Sequence, residues 1–300
     1  MNQISFQILL FFSKLPLKVL YRFSDVFFYL NYYVIGYRKK MVLENLRNSF
    51  PEKSEAELKD ISKKFFRNFG DFMIEMLKIF SISEKEISEL VDYKGLDVLR
   101  KAHEQKKNVI LLAGHNFNWE LAIALQNNVP QENFYGIYKK LESDFWDQKI
   151  IESRAKFGVK LLETKNVMRH FFTEKSDGNS LYGFAADQSP FKTKIQLGIN
   201  FLNQRTPVFT GYNRLPNKEN LMFCFTEIIK VRRGKYQLTF SEITPENEKF
   251  EREELVIKYM KLLEELIKKQ PENWLWTHKR WKYKNRLNNE MMYQGKDYPI

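Results

Sequence analysis

The chain has 300 residues, a formal net charge of +12 and a single cysteine. This length allows one large domain or two smaller ones, and the single cysteine excludes an intramolecular disulfide. The basic charge favours a polyanionic partner, such as nucleic acid, anionic lipid headgroups or an acidic carrier protein. Aromatic residues make up 15% of the chain, which indicates apolar surface beyond the needs of a soluble core.

The N-terminus begins with two uncharged runs, residues 1–13 and 26–37. Each is shorter than the ~18 apolar residues that a spanning helix usually needs, and neither the basic start nor the cleavage site of a signal peptide is present. Between them, cations recur every four positions from Lys14 to Arg22, as on one face of a helix in a lipid interface. We expect residues 1–40 to form amphipathic helices that associate with a membrane. A buried domain helix and a tilted membrane span are the alternatives.

Helix signals come first in the remaining chain. Two Ser-x-x-Glu pairs, beginning at Ser54 and Ser83, are typical of capped helix N-termini. The first opens a helix whose apolar residues recur at helical spacing from Ile61 to Met76. Residues 95–107 indicate a further, charged helix.

From residue 108 short apolar runs alternate with amphipathic segments. The predicted strands are 108–114, 133–138, 159–162 and 181–187, and the predicted helices are 117–128, 143–157 and 164–175. Two more strands flank Arg232-Arg233-Gly234 as an antiparallel pair, and a helix at 250–269 follows. This order predicts an α/β fold with a mainly parallel or mixed sheet flanked by helices. We find no linker and expect one α/β domain over residues 41–300.

The stretch GHNFNWE places His115 just after the predicted strand 108–114, and Glu120 about one turn inside the next helix. Ligands of parallel sheets collect beyond the carboxyl ends of the strands. A carboxylate that accepts one imidazole N–H leaves the other nitrogen free as a base for a hydroxyl that attacks an acyl carbonyl. The spacing therefore predicts His115 as general base and Glu120 as its partner. A capping or core-edge histidine is the structural alternative.

Other chemistries lack the residues that they need. The sequence has no G-x-S-x-G, no P-loop and no G-x-G-x-x-G. Cys224 lies among apolar residues and is expected in the core. A metal site on the His-Glu pair would lack a second well-placed histidine, so we expect no metal. The histidines expected to be structural or superficial are His103, His170 and His278.

The tail, residues 278–286, interleaves aromatic residues and cations in the way that single-strand nucleic-acid binders do. No nucleic-acid module accompanies it, and the WLWT beside it is typical of packed core. A non-catalytic membrane or nucleic-acid binder remains one alternative function. A hydrolase that uses the same pair on a thioester is the other.

The stretch GHNFNWE resembles the H-x4-D/E motif of glycerolipid and lipid A acyltransferases. The preceding YRKKMVLENLRNSFPEKSEAEL resembles a segment of the late, acyl-carrier-dependent acyltransferases of lipid A biosynthesis. The spaced Arg154 and Gly158, the ADQ at 186–188, INFLNQRTP and PENWLWTHKRWK follow in that family's order. The resemblance covers roughly residues 20–285, which is nearly the whole chain.

The resemblance implies an enzyme at the cytoplasmic face of the cell inner membrane, peripheral or monotopic, that serves lipopolysaccharide synthesis. It would move an acyl chain from acyl carrier protein, or from coenzyme A, to a hydroxyl of a phosphorylated glycolipid, a lipid A precursor. It implies no metal, no redox cofactor and no nucleic-acid partner. An amino-lipid or a lysophospholipid is the alternative acceptor.

The resemblance also assigns site residues. It maps His115 onto the family's general base and Glu120 onto its partner. The residues expected at the substrate are Asn118, Lys139, Arg154, Asp187 and Gln188. Lys139 stands where the family often has an arginine, so charge is kept but bidentate phosphate binding is lost. A structural pair between Arg154 and Asp187 is the alternative to substrate contacts for these two residues.

Overall fold

The computed structural model describes residues 2–216, 218–244 and 253–295. The α-helices are α1 (Asn2–Ser13), α2 (Leu17–Tyr29), α3 (Lys39–Ser49), α4 (Glu55–Lys78), α5 (Glu84–Ser88), α6 (Leu96–Glu104), α7 (Asp144–Ala155), α8 (Val167–Thr173) and α9 (Glu254–Lys269). The strands are β1 (Val91–Lys94), β2 (Asn108–Ala113), β3 (Asn133–Tyr138), β4 (Val159–Glu163), β5 (Ser180–Ala185), β6 (Gly198–Phe201), β7 (Gln204–Pro207), β8 (Leu221–Arg232) and β9 (Lys235–Glu242). A π-helical turn, Leu30–Ile35, continues α2, and the longest 3₁₀ helix is Trp119–Asn128.

One sheet organises the described residues, with the strand order β1-β9-β8-β2-β5-β3-β4. Every neighbouring pair is parallel except β8 and β9, which run antiparallel on either side of the predicted turn. The predicted α/β fold with a mainly parallel sheet is confirmed. The sequence analysis missed β1, which lies at the edge of the sheet, and the separate antiparallel hairpin of β6 and β7.

The predicted helices are present with shifted ends. Both capping boxes, at Ser54 and Ser83, form as predicted. The segment predicted as a helix at 117–128 is a 3₁₀ helix that begins at Trp119. The helix predicted at 250–269 is α9, which begins at Glu254, and residues 250–252 lie outside the described residues.

The strand β2 lies at the centre of the sheet because its sequence, NVILLA, is buried on both faces. Ile110 and Leu112 belong to a core with residues of α4 and α9. Val109 and Leu111 alternate with them and belong to a second core, with residues of α6 and the 3₁₀ helix. Cys224 of β8 is buried in this second core, as predicted.

The N-terminal segment folds as two helices instead of one, because Pro16 precedes the first turn of α2. No single helix in the described part of the chain is both long and apolar enough to cross a membrane, and only the pair of α1 with Leu17–Ile35, bent by 115°, has that length and composition. Leu20, Ser24 and Phe28 are buried. Exposed apolar residues are frequent in this segment, and eight of them are here called the outer apolar face: Ile4, Ile8, Phe11, Phe23, Val26, Tyr33, Val34 and Ile35. The predicted boundary after residue 40 falls inside α3.

A buried carboxylate, Asp71 of α4, joins the N-terminal helices to the sheet. It accepts a hydrogen bond of 2.8 Å from the Ser24 hydroxyl of α2. The Nζ of Lys230 in β8 lies 2.9 Å from one of its oxygens, and the Nη2 of Arg233 lies 2.6 Å from the other. Asp71 is therefore a buried counter-charge shared by two cations that the fold brings against α4.

We expect Asp71→Asn to lower the free energy of unfolding by about 2–4 kcal/mol, because Lys230 and the partly exposed Arg233 would lose their buried counter-charge. The matched control is Asp92→Asn, which removes an exposed ion pair with Lys94 and should cost less than about 0.5 kcal/mol. Denaturant unfolding in detergent measures both variants. Equal losses in the two variants would contradict the assignment of Asp71 as a stabilising centre.

Candidate active site

The parallel pairing of β2 with β5 brings two distant segments together. Ala113 at the end of β2 is paired with Ala185 at the end of β5. His115 and Asp187 each follow two residues later, so they leave the sheet side by side at its carboxyl edge. Gly114, which lies between β2 and His115, packs closely against α9. An added Cβ at this position would lie 2.5 Å from a methyl carbon of Leu263.

Asp187, and not Glu120, is the hydrogen-bond partner of His115. The Nδ1 of His115 lies 2.5 Å from Oδ1 of Asp187, and the backbone N–H of His115 donates to Oδ2 at 2.9 Å. The indole Nε1 of Trp274 donates to the same Oδ2 at 2.7 Å. Three donors thus hold a carboxylate that is 1% exposed. Glu120 was predicted to be the hydrogen-bond partner of His115, and the structure places Asp187 in that position instead.

The pair has coupled pKa shifts. Burial lowers the pKa of His115, but the charge and hydrogen bond of Asp187, followed by the charge of Glu120, raise it by more, so it lies above the ordinary 6.5. Burial raises the pKa of Asp187, but the charge and hydrogen bonds of His115 and the Trp274 donor bring it well below its usual range. Asp187 is therefore ionised at neutral pH and stabilises the imidazolium form of His115.

The second ring nitrogen of His115, Nε2, faces Gln188, the residue after Asp187. Its Nε2 lies 3.1 Å from the side-chain nitrogen of Gln188, which donates to it when Nδ1 carries the imidazole proton. The ring of Trp119 meets the imidazole edge to face with centroids 4.9 Å apart. Asp187 therefore selects the tautomer in which Nε2 has a free lone pair, as a general base requires.

Glu120 instead forms a two-pronged ion pair with Arg154 of α7. The guanidinium Nη2 and Nε lie 2.7 and 3.1 Å from its two oxygens, and Trp119 Nε1 donates at 3.1 Å. Glu120 turns this way because Asn118 caps the 3₁₀ helix by accepting from the Glu120 backbone N–H at 3.0 Å. The alternative of a structural pair between Arg154 and Asp187 is wrong.

Two further residues, Asn118 and Lys139, were predicted to contact the substrate. Asn118 is fully buried, and its amide is occupied at both ends, since its nitrogen donates to Glu75 at 2.9 Å. It therefore supports the Glu120 turn from behind, and its contact with substrate stays a prediction. Lys139 is exposed just beyond the carboxyl end of β3, on the same edge of the sheet as His115.

Two contributors escaped the sequence analysis. Trp274 was expected only as packed core, and its indole N–H binds Asp187. His278 was expected to be structural or superficial, with no link to the site; burial, opposed by Asp187 and reinforced by Arg280 and His115, lowers its pKa to about 4. Both lie in the WLWTHKRW stretch, whose dense aromatic and basic residues were the available signal.

The tail does not form the surface ladder that nucleic-acid binding needs. Arg280 is buried and donates to the Pro207 carbonyl at 2.7 Å. Trp281 is also buried, and its indole donates to the Thr206 hydroxyl at 2.7 Å. Within the described ranges, no group of three or more His, Cys, Asp or Glu side chains is placed to hold a metal ion.

The chain is similar to known acyltransferases of lipid A biosynthesis. Residues 3–283 match the family model described as bacterial lipid A biosynthesis acyltransferase. The lipid A biosynthesis lauroyltransferase of Escherichia coli (strain K12) is 25% identical over 274 residues, which cover 90% of this chain and 87% of the relative. The palmitoleoyltransferase of the same organism and pathway is 23% identical, over 82% of this chain and 79% of the relative. The lipid A biosynthesis acyltransferase of Haemophilus influenzae is 23% identical, over 57% and 53%.

The match to the family model spans both strands that carry the histidine and its carboxylate, together with the α7 arginine and the aromatic tail. The function expected from the resemblance agrees with it. The chain belongs to the bacterial lipid A biosynthesis acyltransferase family and is an acyltransferase.

Proposed function

We propose that this acyltransferase moves a fatty acyl chain from the thioester of acyl carrier protein, or of coenzyme A, to a hydroxyl of a lipid A precursor, with His115 as general base. The observation that carries the proposal is the hydrogen bond of His115 Nδ1 to Asp187, which leaves Nε2 as the basic nitrogen. The thioester donor and the glycolipid acceptor are proposed from the family resemblance. An amino-lipid or lysophospholipid acceptor is the alternative.

The reaction needs one proton relay and no electron acceptor. Nε2 of His115 takes the proton of the acceptor hydroxyl as its oxygen attacks the thioester carbonyl carbon. The tetrahedral intermediate collapses, the C–S bond breaks, and the imidazolium returns the proton to the leaving thiolate. Asp187 stabilises the imidazolium between the two steps. A positioned general base such as His115 contributes roughly 10²–10⁴ in rate.

Gln188, which contacts Nε2 of His115, and Arg154, which pairs with Glu120, both carry N–H donors. The acceptor hydroxyl must replace the Gln188 amide at Nε2, which frees that N–H for substrate oxygen. Arg154 is held by Glu120, so its guanidinium keeps a fixed place beside the base. We assign to it the developing negative charge or an acceptor phosphate, and to the exposed Lys139 a phosphate at the rim.

The N-terminal helices supply a means of reaching a lipid. The outer apolar face lies on α1, α2 and the π-helical turn, and the cations Lys14, Lys18 and Arg22 are exposed beside it. Apolar side chains bounded by cations fit an interface of acyl chains and anionic headgroups. We propose that this face binds the cytoplasmic surface of the inner membrane peripherally.

We expect His115→Ala to lower acyl transfer by about 10²–10⁴-fold without unfolding the chain. The control is His103→Gln, at the opposite edge of the sheet, where the imidazole only contacts the Gly178 carbonyl; its rate should stay within about twofold. The measurement is transfer from acyl carrier protein and from coenzyme A in vitro, with lipid mass spectrometry of cells that carry each variant. An unchanged His115→Ala rate contradicts the proposal. Free fatty acid without an acceptor points to the thioester hydrolase.

The pH profile separates the two carboxylates near the base. The rate should rise with pH to a midpoint above 6.5, since His115 must be neutral and its pKa is raised by Asp187 and Glu120 although burial lowers it. Asp187→Asn should shift the midpoint to lower pH and depress kcat, because it removes both the charge and the tautomer lock. Glu120→Gln should shift it less. A larger shift for Glu120→Gln would restore Glu120 as the main partner.

We expect the triple variant Ile4→Ser, Ile8→Ser and Phe11→Ser to bind vesicles that contain anionic lipid at least about tenfold more weakly, because three exposed apolar side chains no longer enter the lipid. The control is Phe172→Ser, which removes an exposed phenylalanine of α8 outside the outer apolar face, with binding kept within about twofold. Vesicle co-sedimentation measures both. Equal binding of the triple variant and wild type excludes α1 as the contact.

A further inference from the structure

A second buried carboxylate lies one helical turn beyond Asp71. Glu75 of α4 is 2% exposed and accepts from three side chains of three different elements. Tyr21 of α2 donates to Oε1 at 2.7 Å, Tyr236 of β9 donates to Oε2 at 2.8 Å, and Asn118 donates its amide N–H to Oε2 at 2.9 Å. Nothing in the proposed reaction uses Glu75 directly.

The bond to Asn118 leads from Glu75 to the active site. With its amide nitrogen held by Glu75, Asn118 turns its oxygen toward the backbone N–H of Glu120, which it caps at 3.0 Å. Glu120 in turn binds Arg154 through both oxygens. Three consecutive hydrogen-bonded contacts thus join a side chain in the α4 core to the guanidinium beside the base.

We propose that Glu75 is a positioning residue for acyl transfer, which fixes the Asn118–Glu120 turn and, through it, Arg154. The inference rests on the proposed function, because it assigns Glu75 to the same site. Glu75 does not touch substrate. Its contribution is to hold one orientation of the Asn118 amide through a buried hydrogen bond.

The anchoring is strong because Glu75 is buried and accepts from three donors. Burial raises the pKa of Glu75, while Lys230 and the hydrogen bonds from Tyr21, Asn118 and Tyr236 lower it, with a net rise. In either protonation state its oxygens remain acceptors for Asn118. Without them, the Asn118 N–H would be buried and unpaired, and the amide would turn to find another partner.

A shift of the turn would be costly for catalysis. Misplacing a group at a reacting centre by about 1 Å lowers rates by up to about 10²-fold. The loss should appear in kcat, since Arg154 would still be present to attract the acceptor. A purely structural role would lower stability and leave kcat of the folded enzyme unchanged.

The test compares Glu75→Leu, Glu75→Gln and the matched control Asp71→Asn in the full chain, with acyl transfer measured under saturating substrates and folding followed by near-ultraviolet circular dichroism. We expect Glu75→Leu to lower kcat by roughly 10- to 100-fold with KM changed by less than about threefold. Glu75→Gln keeps an acceptor for Asn118 and should recover most of kcat. Asp71→Asn should lose stability but keep kcat within about twofold.

A Glu75→Leu enzyme that is folded and keeps wild-type kcat overturns the inference. So does an Asp71→Asn enzyme that loses as much kcat, since that loss would follow stability. If Glu75→Leu does not fold, the double variant Tyr21→Phe and Tyr236→Phe replaces it, because it removes two of the three donors and loosens the same carboxylate. A kcat at the wild-type value in that variant also overturns the inference. Loss of activity in His115→Ala beside full activity in Glu75→Leu removes this inference alone and leaves the proposed function standing.

Discussion

The hydrogen bond between Nδ1 of His115 and the carboxylate of Asp187 depends on the parallel pairing of β2 and β5. The two residues are 72 positions apart, and the pairing of Ala113 with Ala185 places them in register. Trp274, in the C-terminal part of the chain, donates a further hydrogen bond to the Asp187 carboxylate. The base therefore exists only once the sheet and the tail are both assembled, which explains why a tail rich in tryptophan and arginine is buried where a solvent-exposed role was conceivable.

The four charged or titratable side chains of the site reach zero net charge when His115 takes up a proton. In the resting state a neutral His115 lies with two carboxylates, Asp187 and Glu120, and one guanidinium, Arg154. Proton transfer to His115 brings this group of four from one negative charge to neutrality, which favours the imidazolium and agrees with its raised pKa. Without Arg154, the unpaired carboxylate of Glu120 would add to the charge of Asp187, hold the proton of His115 more tightly and slow its return to the thiolate. The ion pair of Glu120 is thus compatible with a base that must also release its proton.

The sequence predicts the parts of the fold that depend on local pattern. Alternating strands and helices, the two capping boxes and the antiparallel pair around Gly234 follow from periodicity and turn residues. The edge strand β1, with sequence VDYK, carries little apolar signal because it pairs only with β9. Spacing also predicted Glu120, five positions after His115, as the partner of that histidine. Glu120 instead pairs with Arg154, which lies 34 positions after Glu120 in the chain.

Contacts that join distant segments needed the structure. Asp187 was placed at the site by resemblance, but its bond to His115 follows from strand register. Glu75 and Asp71 interrupt the apolar side of α4, and such carboxylates in an otherwise apolar stripe are a signal that charge is needed inside. Periodicity alone does not say which donors they meet.

Helix α4 connects the N-terminal helices with the residues around His115. Its Asp71 and Glu75 accept hydrogen bonds from Ser24 and Tyr21 of α2, the helix that also bears part of the outer apolar face. Its Glu75 also holds Asn118 behind the active site. A force that moves α2 against α4 must break buried, charge-assisted hydrogen bonds, so the N-terminal helices cannot act as a loosely tethered anchor. The orientation of the outer apolar face is therefore set relative to His115, and a lipid surface bound there would present its hydroxyls at a fixed distance from the base.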